Sequence, residues 1–373
     1  MKKLLTIILL GVSHFIEAQD LKQVEQLVNS YQFEKALAIL SAINDTTEVA
    51  IPLQQGYCYY RLGNFKKAIQ QYTKALQLDS INRIALIQLG QLYSRSNRFS
   101  ESKMCYERLI HIDSTSSYYF KQYGALATSV NDIPLAIDLY NQTLLLNPND
   151  LETYSLLGNI LLDTEEYPKL DSLLFLGLQV DSLQSPLLLL KAKSQMGQQQ
   201  YKQAVVTIVK LIVKSDTLPT YARLLGISYF QLNDYKKVIR CMNYLLNADQ
   251  KHDWIYYYLG VSYRELNDLP RSIEFMNKAI DEGITENIGA YYTQLARAYE
   301  DQKDFKNAIH YYHAAYEKSK SKILLYHLAR NYDVYYKDKS TAIAYYKQYL
   351  ASNDTIKIAK EYSRHRINTL SDN

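Results

Sequence analysis

Across residues 63–80, GNFKKAIQQYTKALQLDS, the large and small apolar positions fall at Phe65, Ala68, Tyr72 and Ala75. Steps of three, four and three put these four on one face of an α-helix and leave Lys and Gln for the other. The outline returns as NDYKKVIRCMNYLLNADQ at 233–250 and as KDFKNAIHYYHAAYEKSK at 303–320. Each copy has an aromatic residue, a small or β-branched residue three on, and a Tyr or Met four beyond that.

Glycine fixes the register. Gly56, Gly90, Gly124 and Gly158 stand 34 residues apart, Gly226 follows after two such intervals, and Gly260 after one more. Ala192 fills the skipped slot, and Ala296 and Ala329 take the role after small insertions. Three residues later a Tyr recurs at 59, 93, 229, 263, 299 and 332, with Leu161, Thr128 and Gln195 as departures. Twelve residues after the glycine a second small slot holds Ala68, Ser102, Ala136, Ala204, Val238, Ser272 or Ala308. Four beyond it stands Tyr72, Tyr106, Tyr140, Ile208, Met242, Met276 or Tyr312.

The pattern predicts two helices per unit. Helix A carries the Gly-x-x-Tyr pair, and helix B opens near Phe65, Phe99, Tyr201, Tyr235 and Phe305. Small residues on both let the axes approach, and large ones fill the holes beside them. Pro134, Pro168 and Pro270 each follow the residue that opens a helix B, where a missing N–H costs nothing. Asn131-Asp132 and Asn267-Asp268 supply turn and capping oxygens.

A 34-residue helical hairpin with Gly56, Tyr59, Ala68, Tyr72 and Ala75 at these offsets resembles the tetratricopeptide repeat. The resemblance runs over about residues 19–353 and implies an all-α fold. The expected architecture is a right-handed α-solenoid of about nine to ten hairpins with a C-terminal capping helix. The expected units are 19–48, 49–82, 83–116, 117–150, 151–184, 185–218, 219–252, 253–288, 289–321 and 322–353, then a cap and tail over 354–373. Phe33 and Ala36 open helix B of the degenerate first unit. Units 151–184 and 185–218 fit least, with Leu170 in a small-residue slot, so local irregularity or a change of superhelical pitch is expected there. In the tail, DTIKIAKEYSRHRINTL, Ile358, Tyr362 and Ile367 are expected to face inward, and Lys357, Lys360, Arg364 and Arg366 outward.

The N-terminus, MKKLLTIILLGVSHFIEAQD, resembles a secretory signal peptide over residues 1–18. Lys2 and Lys3 precede an apolar run from Leu4 to Val12, too short to span a bilayer, and Ala18 offers a cleavage point. No Cys follows the run, so a lipoprotein anchor is not indicated, and no later stretch is apolar enough to span a membrane. The expected location is the periplasm or cell envelope of a Gram-negative bacterium. The three cysteines, Cys58, Cys105 and Cys241, are odd in number and far apart, which suits small buried thiols better than a disulfide framework.

Enzyme chemistry is not legible. The chain has no phosphate-binding Gly loop, no G-x-S-x-G, no HExxH and no CxxC. His310 and His313 share a helix face, but two ligands do not make a stable zinc site. No cofactor or metal is expected. A formal charge of +4 falls short of a nucleic-acid signature, so no nucleic-acid partner is expected.

Composition does mark one surface, since the chain has 36 Tyr against 9 Phe and 1 Trp. The resemblance implies that A helices line a concave groove through the second, fifth, ninth, twelfth and thirteenth positions of each unit. Those positions hold Tyr57, Tyr60, Arg61, Gln91, Arg95, Lys121, Asn159, Lys193 and Arg223, then Trp254, Tyr257, Arg264, Arg297, Tyr326 and Arg330. Cations among aromatics suit an extended, acidic protein or peptide ligand, though Glu265, Glu300 and Asp333 dilute the pattern. The carboxylate clamp of some family members is not matched, because Ser155 and Asn159 stand without its Lys. The expected function is therefore a non-catalytic protein-binding scaffold in envelope assembly or secretion. The alternative is a glycan-binding envelope protein that stacks sugars on Trp254 and Tyr257.

One further pattern, Asp then Ser or Thr then an aliphatic residue or Thr, recurs at Thr46, Ser80, Ser114, Ser172, Ser182, Thr217 and Thr355. It resembles an O-glycosylation acceptor motif of exported proteins in Gram-negative bacteria. Asp-Ser and Asp-Thr are equally good helix starts and turn formers.

Overall fold

The computed structural model describes residues 21–43, 47–214, 219–283 and 286–371, and among these it is helical throughout with no strand. The signal-like segment lies outside the described residues, as do Thr46 and Thr217. The chain divides into two compact units, Met1–Ser182 and Leu183–Asn373.

Unit 1 is a run of hairpins. They are α1 (21–29) with α2 (Phe33–Ala42), α3 (Ala50–Arg61) with α4 (Phe65–Leu78), α5 (Arg83–Arg95) with α6 (Phe99–Ile112), α7 (Ser117–Ser129) with α8 (Ile133–Leu146), and α9 (Leu151–Asp163) with α10 (Tyr167–Val180). Unit 2 continues the form. It pairs α11 (Ser185–Gly197) with α12 (Tyr201–Lys214), α13 (Pro219–Gln231) with α14 (Tyr235–Asn247), α15 (Asp253–Glu265) with α16 (Leu269–Glu282), α17 (Ile288–Asp301) with α18 (Phe305–Ser319), and α19 (Ile323–Tyr335) with α20 (Ser340–Leu350). It ends in α21 (Lys357–Ser371).

One local device makes the A-to-B turns from α3–α4 through α17–α18. A single residue goes left-handed: Gly63, then Asn97, Asn131, Glu165, Gln199, Asn233, Asn267 and Lys303, with φ between 56° and 75°. The next residue's N–H reaches back five residues to a carbonyl, as in Asn64 to Tyr59 at 2.8 Å and Asp268 to Tyr263 at 2.8 Å. This closes the end of helix A with its own backbone. The same residue then caps helix B: Asn64, Asp132, Asp234, Asp268 and Asp304 each accept the N–H three residues on. Stop and start signals therefore occupy adjacent positions, which is why the helix B starts are readable from sequence.

Within a hairpin the glycine register is a steric one. A Cβ on Gly56, Gly90 or Gly124 would lie 2.8 Å, 3.0 Å or 2.8 Å from the ring of Tyr72, Tyr106 or Tyr140. On Gly226 or Gly260 it would lie 2.2 Å or 2.6 Å from the methyl of Met242 or Met276. The aromatic or Met on helix B thus occupies the volume that the missing side chain leaves on helix A. Tyr72, Tyr140, Met242 and Tyr312 are all buried there.

Helices α9 to α12 are unbroken along their lengths, and Leu170 is fully buried in its slot. The boundary between the two units does fall in this stretch. The expectation for α21 needs correction: Ile358, expected inward, is 80% exposed, and Ala359 and Ser363 are the buried residues of that turn. Tyr362 is 41% exposed but its ring meets Tyr326 and Tyr346, and Ile367 packs against the cluster of Ala329, Ala342 and Tyr346, so these two face inward. Arg366, expected outward, turns in. Its guanidinium makes two hydrogen bonds to the buried Asp333 of α19, Nε to Oδ2 at 2.8 Å and Nη2 to Oδ1 at 2.9 Å. The buried carboxylate outranked the apolar pattern, because an unpartnered Asp333 would cost more than an exposed Ile358.

Candidate functional site

In unit 1 the predicted A-helix positions form a linked row. Tyr57, Tyr60 and Arg61 come from α3, with Arg61 Nη1 donating to the Tyr57 hydroxyl at 2.6 Å. The Arg61 guanidinium also lies 4.9 Å from the Phe33 ring centre and 5.5 Å from that of Tyr31. From α5, Arg95 Nη1 donates to Tyr60 at 3.3 Å and sits 5.1 Å from the Phe65 ring. Gln91 donates to the Tyr118 hydroxyl of α7 at 3.1 Å. Apart from Arg61–Tyr57, which lies within α3, these contacts tie an A helix to the next A helix or to the hairpin before it. Two hollows open along this row. One, of ≈ 320 Å³, is lined by Tyr60, Gln91, Arg95 and Gln122. The other, of ≈ 440 Å³, is lined by Leu53, Gln54, Tyr57, Ile84 and Gln88.

The row changes character toward α9. Lys121 of α7 is held by Asp150 at 2.9 Å and by Glu152 at 2.8 Å. Burial works against its charge, but the two carboxylates carry its pKa above the ordinary Lys value. Asp150 is correspondingly lowered: burial opposes, and Lys121 with the Thr153 N–H prevails. Asn159 donates to the Ser155 carbonyl at 2.7 Å, a contact within its own helix.

Unit 2 places its candidates differently. Lys193 on α11 and Arg223 on α13 are exposed. The Arg223 guanidinium lies 5.2 Å from the Trp254 ring, which also stacks on His252 at 6.1 Å and meets Tyr258 edge-on. Tyr257 packs between Tyr258 and Tyr291, and burial raises its phenol pKa. Arg264 is paired with Glu265 and lies 3.9 Å from Asp301. Burial raises the Asp301 pKa, and neighbouring Glu300 and Glu265 add to it. Arg297 is half-buried on α17. Arg330 of α19 stands 3.7 Å from Glu300 and 5.7 Å from the Tyr326 ring. Glu300 also accepts from the Tyr312 hydroxyl at 2.6 Å.

Beneath this network His327 is stacked on Tyr312 at 5.2 Å, and its Nδ1 has no hydrogen-bond partner. Burial pushes its pKa down to about 4, with Arg297 and Arg330 acting the same way and Glu300 against.

Sequence reasoning missed Tyr118 and Glu152, which complete two of these contacts. Both are second in their units, a position already in the groove set, so the register alone could have found them. It also missed that Glu265, Glu300 and Asp333 would be ion-pair partners rather than diluents.

The turn motifs acquire a structural role. Asp79, Asp113 and Asp354 each accept the N–H two residues on, at 3.2 Å, 3.1 Å and 2.8 Å. Ser80, Ser114, Ser182 and Thr355 are exposed. Ser172 is not in a turn: it lies inside α10, and its hydroxyl donates to the Pro168 carbonyl at 3.0 Å. Cys58 and Cys105 are buried, Cys241 is partly so, and burial raises each thiol to about 11. His313 meets the Tyr332 hydroxyl at 3.2 Å, and the described residues contain no group of three or more potential metal ligands. No described helix is long and apolar enough to cross a membrane.

Family comparison matches the tetratricopeptide repeat at residues 53–82 and again at 85–116 and 289–317. Such repeats are therefore present in both units. Comparison with curated proteins gave no match. Among solved structures, a tetratricopeptide repeat protein from Parabacteroides merdae ATCC 43184 is similar, with TM-score 0.48 and 15% identity over 67% of this chain and 98% of that one. The APC/C hetero-tetramer Cut9–Hcn1 gives TM-score 0.47 and 15% identity over 92% and 82%. PilF of Pseudomonas aeruginosa gives 0.44 and 16% over 59% and 96%.

Proposed function

We propose that this protein is an exported, non-catalytic scaffold that binds a partner protein, by an extended and acidic segment, on its A-helix face. Tetratricopeptide repeats generally mediate protein–protein interaction, and the repeats here carry that coarser statement. The observation that supports the finer one is the row Tyr57, Tyr60, Arg61, Gln91 and Arg95 in unit 1. Its two arginines are exposed and lean on tyrosines, so their charge is available to a carboxylate. In unit 2 Arg264 and Arg330 already face carboxylates. The glycan alternative is less well supported, because the rings of Trp254 and Tyr257 are engaged by His252, Arg223, Tyr258 and Tyr291.

The test is capture from envelope extract with the chain starting at Gln19, beside an Arg61→Glu, Arg95→Glu variant. A partner lost only from the variant supports the reading, and identical capture by both overturns it. Substituting Arg264 instead would set Glu against Glu265 and Asp301 and confound binding with stability. Export is tested on the chain expressed from Met1. An intact mass that starts at Gln19 then supports signal cleavage at Ala18. Added sugar mass mapped to Ser80, Ser114, Ser182 or Thr355 supports modification of the turn motif, and an uncleaved chain retained in the cytoplasm overturns the envelope location.

A further inference from the structure

The solvent face of α12 departs from that of every other B helix. Lys202, Val206, Val209, Lys210 and Val213 fall within about 100° of arc around this helix. Ala204, Ile208 and Leu211 on the opposite face are fully buried. Val206, Val209 and Val213 are 59%, 42% and 84% exposed. The 34-residue period supplies internal controls. The same three positions hold Gln70, Thr73 and Gln77 in α4, and Glu274, Asn277 and Asp281 in α16. No other B helix has an aliphatic residue at all three. The exposed valines do little for the hairpin, because β-branching makes Val a poorer helix former than Gln. A contiguous aliphatic stripe that the fold does not need marks a surface that something else covers.

Charge identifies what covers it. From Ser182 to Ser215 the chain holds five lysines, Lys191, Lys193, Lys202, Lys210 and Lys214, and no carboxylate. Lys191, Lys193, Lys202 and Lys210 are exposed, and none has an ion-pair partner among the described residues. On other B helices the cations are neutralised nearby: Lys169 by Glu166, Lys237 by Asp234, and Lys278 by Glu274. The next B helix, α14, adds exposed Lys236 and Arg240 at the registers of Lys202 and Val206. Lys is depleted at protein interfaces and Val is scarce among their anchoring residues, where Trp, Tyr and Arg dominate. A bilayer surface suits this pair of residue types. Short aliphatic side chains enter between headgroups, while lysine stems lie along the boundary and their ammonium groups meet lipid phosphates.

We propose that the exposed face of α12 seats this protein on an anionic phospholipid surface. Val206, Val209 and Val213 enter the headgroup layer, and Lys202 and Lys210, with Lys236 and Arg240 of α14, supply the attraction. This attachment uses B helices and is independent of the ligand face on the A helices. It is reversible and salt-sensitive, because three valines bury little apolar area and the rest of the attraction is screened by ions.

The probe is a pair of unilamellar vesicle preparations, pure phosphatidylcholine and equal parts phosphatidylcholine and phosphatidylglycerol. They are sedimented with the chain starting at Gln19, which lacks the apolar run from Leu4 to Val12. The wild type should prefer the phosphatidylglycerol vesicles by at least about tenfold and lose that margin as salt is raised. Lys202→Glu with Lys210→Glu should weaken binding at least about tenfold, at roughly fivefold for each lysine removed. Val206→Gln, Val209→Thr and Val213→Gln together give α12 the face of α4 with its charge unchanged, and should weaken binding at least about fivefold. All five positions are exposed, so both variants should melt with the wild type. A Val213→Trp chain reads insertion without removing apolar surface: its fluorescence should be quenched by brominated acyl chains beyond any change that Trp254 alone shows in the wild type. A wild type that ignores both vesicles, or binds them equally, overturns the proposal. Binding that survives both variants, with no added quenching at position 213, also overturns it. So does a wild type that ignores vesicles but forms a dimer broken by the valine variant, which would make the stripe a contact between copies of this chain.

Discussion

In unit 1 the cations Arg61 and Arg95 rest on Tyr57 and Tyr60, and in unit 2 Arg264 and Arg330 rest on Glu265, Asp301 and Glu300. The hairpins are built alike, yet α3 and α5 present arginines that lean on tyrosines, whereas α15, α17 and α19 present an ionic network satisfied among themselves; Lys121 in unit 1 and Arg223 in unit 2 depart from the contrast. The same contrast runs through the cores. Unit 1 fills its glycine notches with rigid rings at Tyr72, Tyr106 and Tyr140, whereas unit 2 uses the flexible Met242 and Met276. It teaches that a repeat fixes the packing position but leaves open whether that position is used for a ligand or for the fold.

The largest effect is expected where unit 2 spends buried charge on its own stability. Arg366→Ala leaves Asp333, which is 6% exposed, with Lys339 and the Tyr346 hydroxyl as remaining partners. The cost should be about 2–4 kcal/mol, read by urea denaturation of the full chain. Adding Asp333→Asn should recover part of it, because the stranded charge is then gone. A loss below about 0.5 kcal/mol, the size of a surface pair, would mean that the pair is not what docks α21.

Next comes pH. The folded-state pKa of His327 is depressed to about 4 from an ordinary 6.5. The unfolded chain therefore takes up a proton first. The stabilisation is complete above pH 6.5 and is lost as pH falls toward 4, by on the order of 2–3 kcal/mol. His313, also lowered by burial, adds in the same sense. Unit 1 has no buried histidine among its described residues. Melting curves at pH 7 and pH 4.5 should therefore differ less for His327→Phe than for the wild type. Equal differences would remove His327 from the account.

A smaller effect separates the two kinds of notch. Gly124→Ala drives a Cβ against the Tyr140 ring, which has nowhere to go. Overpacking costs about 1–3 kcal/mol, offset by about 1 kcal/mol from better helix propensity. A net loss of up to about 2 kcal/mol is expected. Gly226→Ala meets chiefly the terminal methyl of Met242, which can rotate away, with the Cys241 Cβ at 3.3 Å, so its net change should stay within about 1 kcal/mol. Denaturation midpoints for the pair decide it, and equal losses would mean that Met242 is as fixed as the ring.

Much of this was readable before the structure. Helix B starts at Phe65, Phe99, Tyr201, Tyr235 and Phe305 in both readings, because caps and left-handed turn residues act within a few positions of themselves. The side chains of the A-helix face were nameable for the same reason, since register follows from the 34-residue period. Their partners were not. Lys121 falls in the groove register, but its carboxylates come from Asp150 and Glu152, about a unit further on.

The sequence by itself determined the hairpin, its period, its turns and the identity of the residues at each position, since these depend on local backbone geometry and helical periodicity. Tertiary structure alone decided which charges are satisfied and which way α21 rolls. Arg366 and Asp333 are 33 residues apart, and nothing local distinguishes an inward from an outward Arg. The choice belongs to packing: a buried carboxylate must find its cation, and α21 turns until it does.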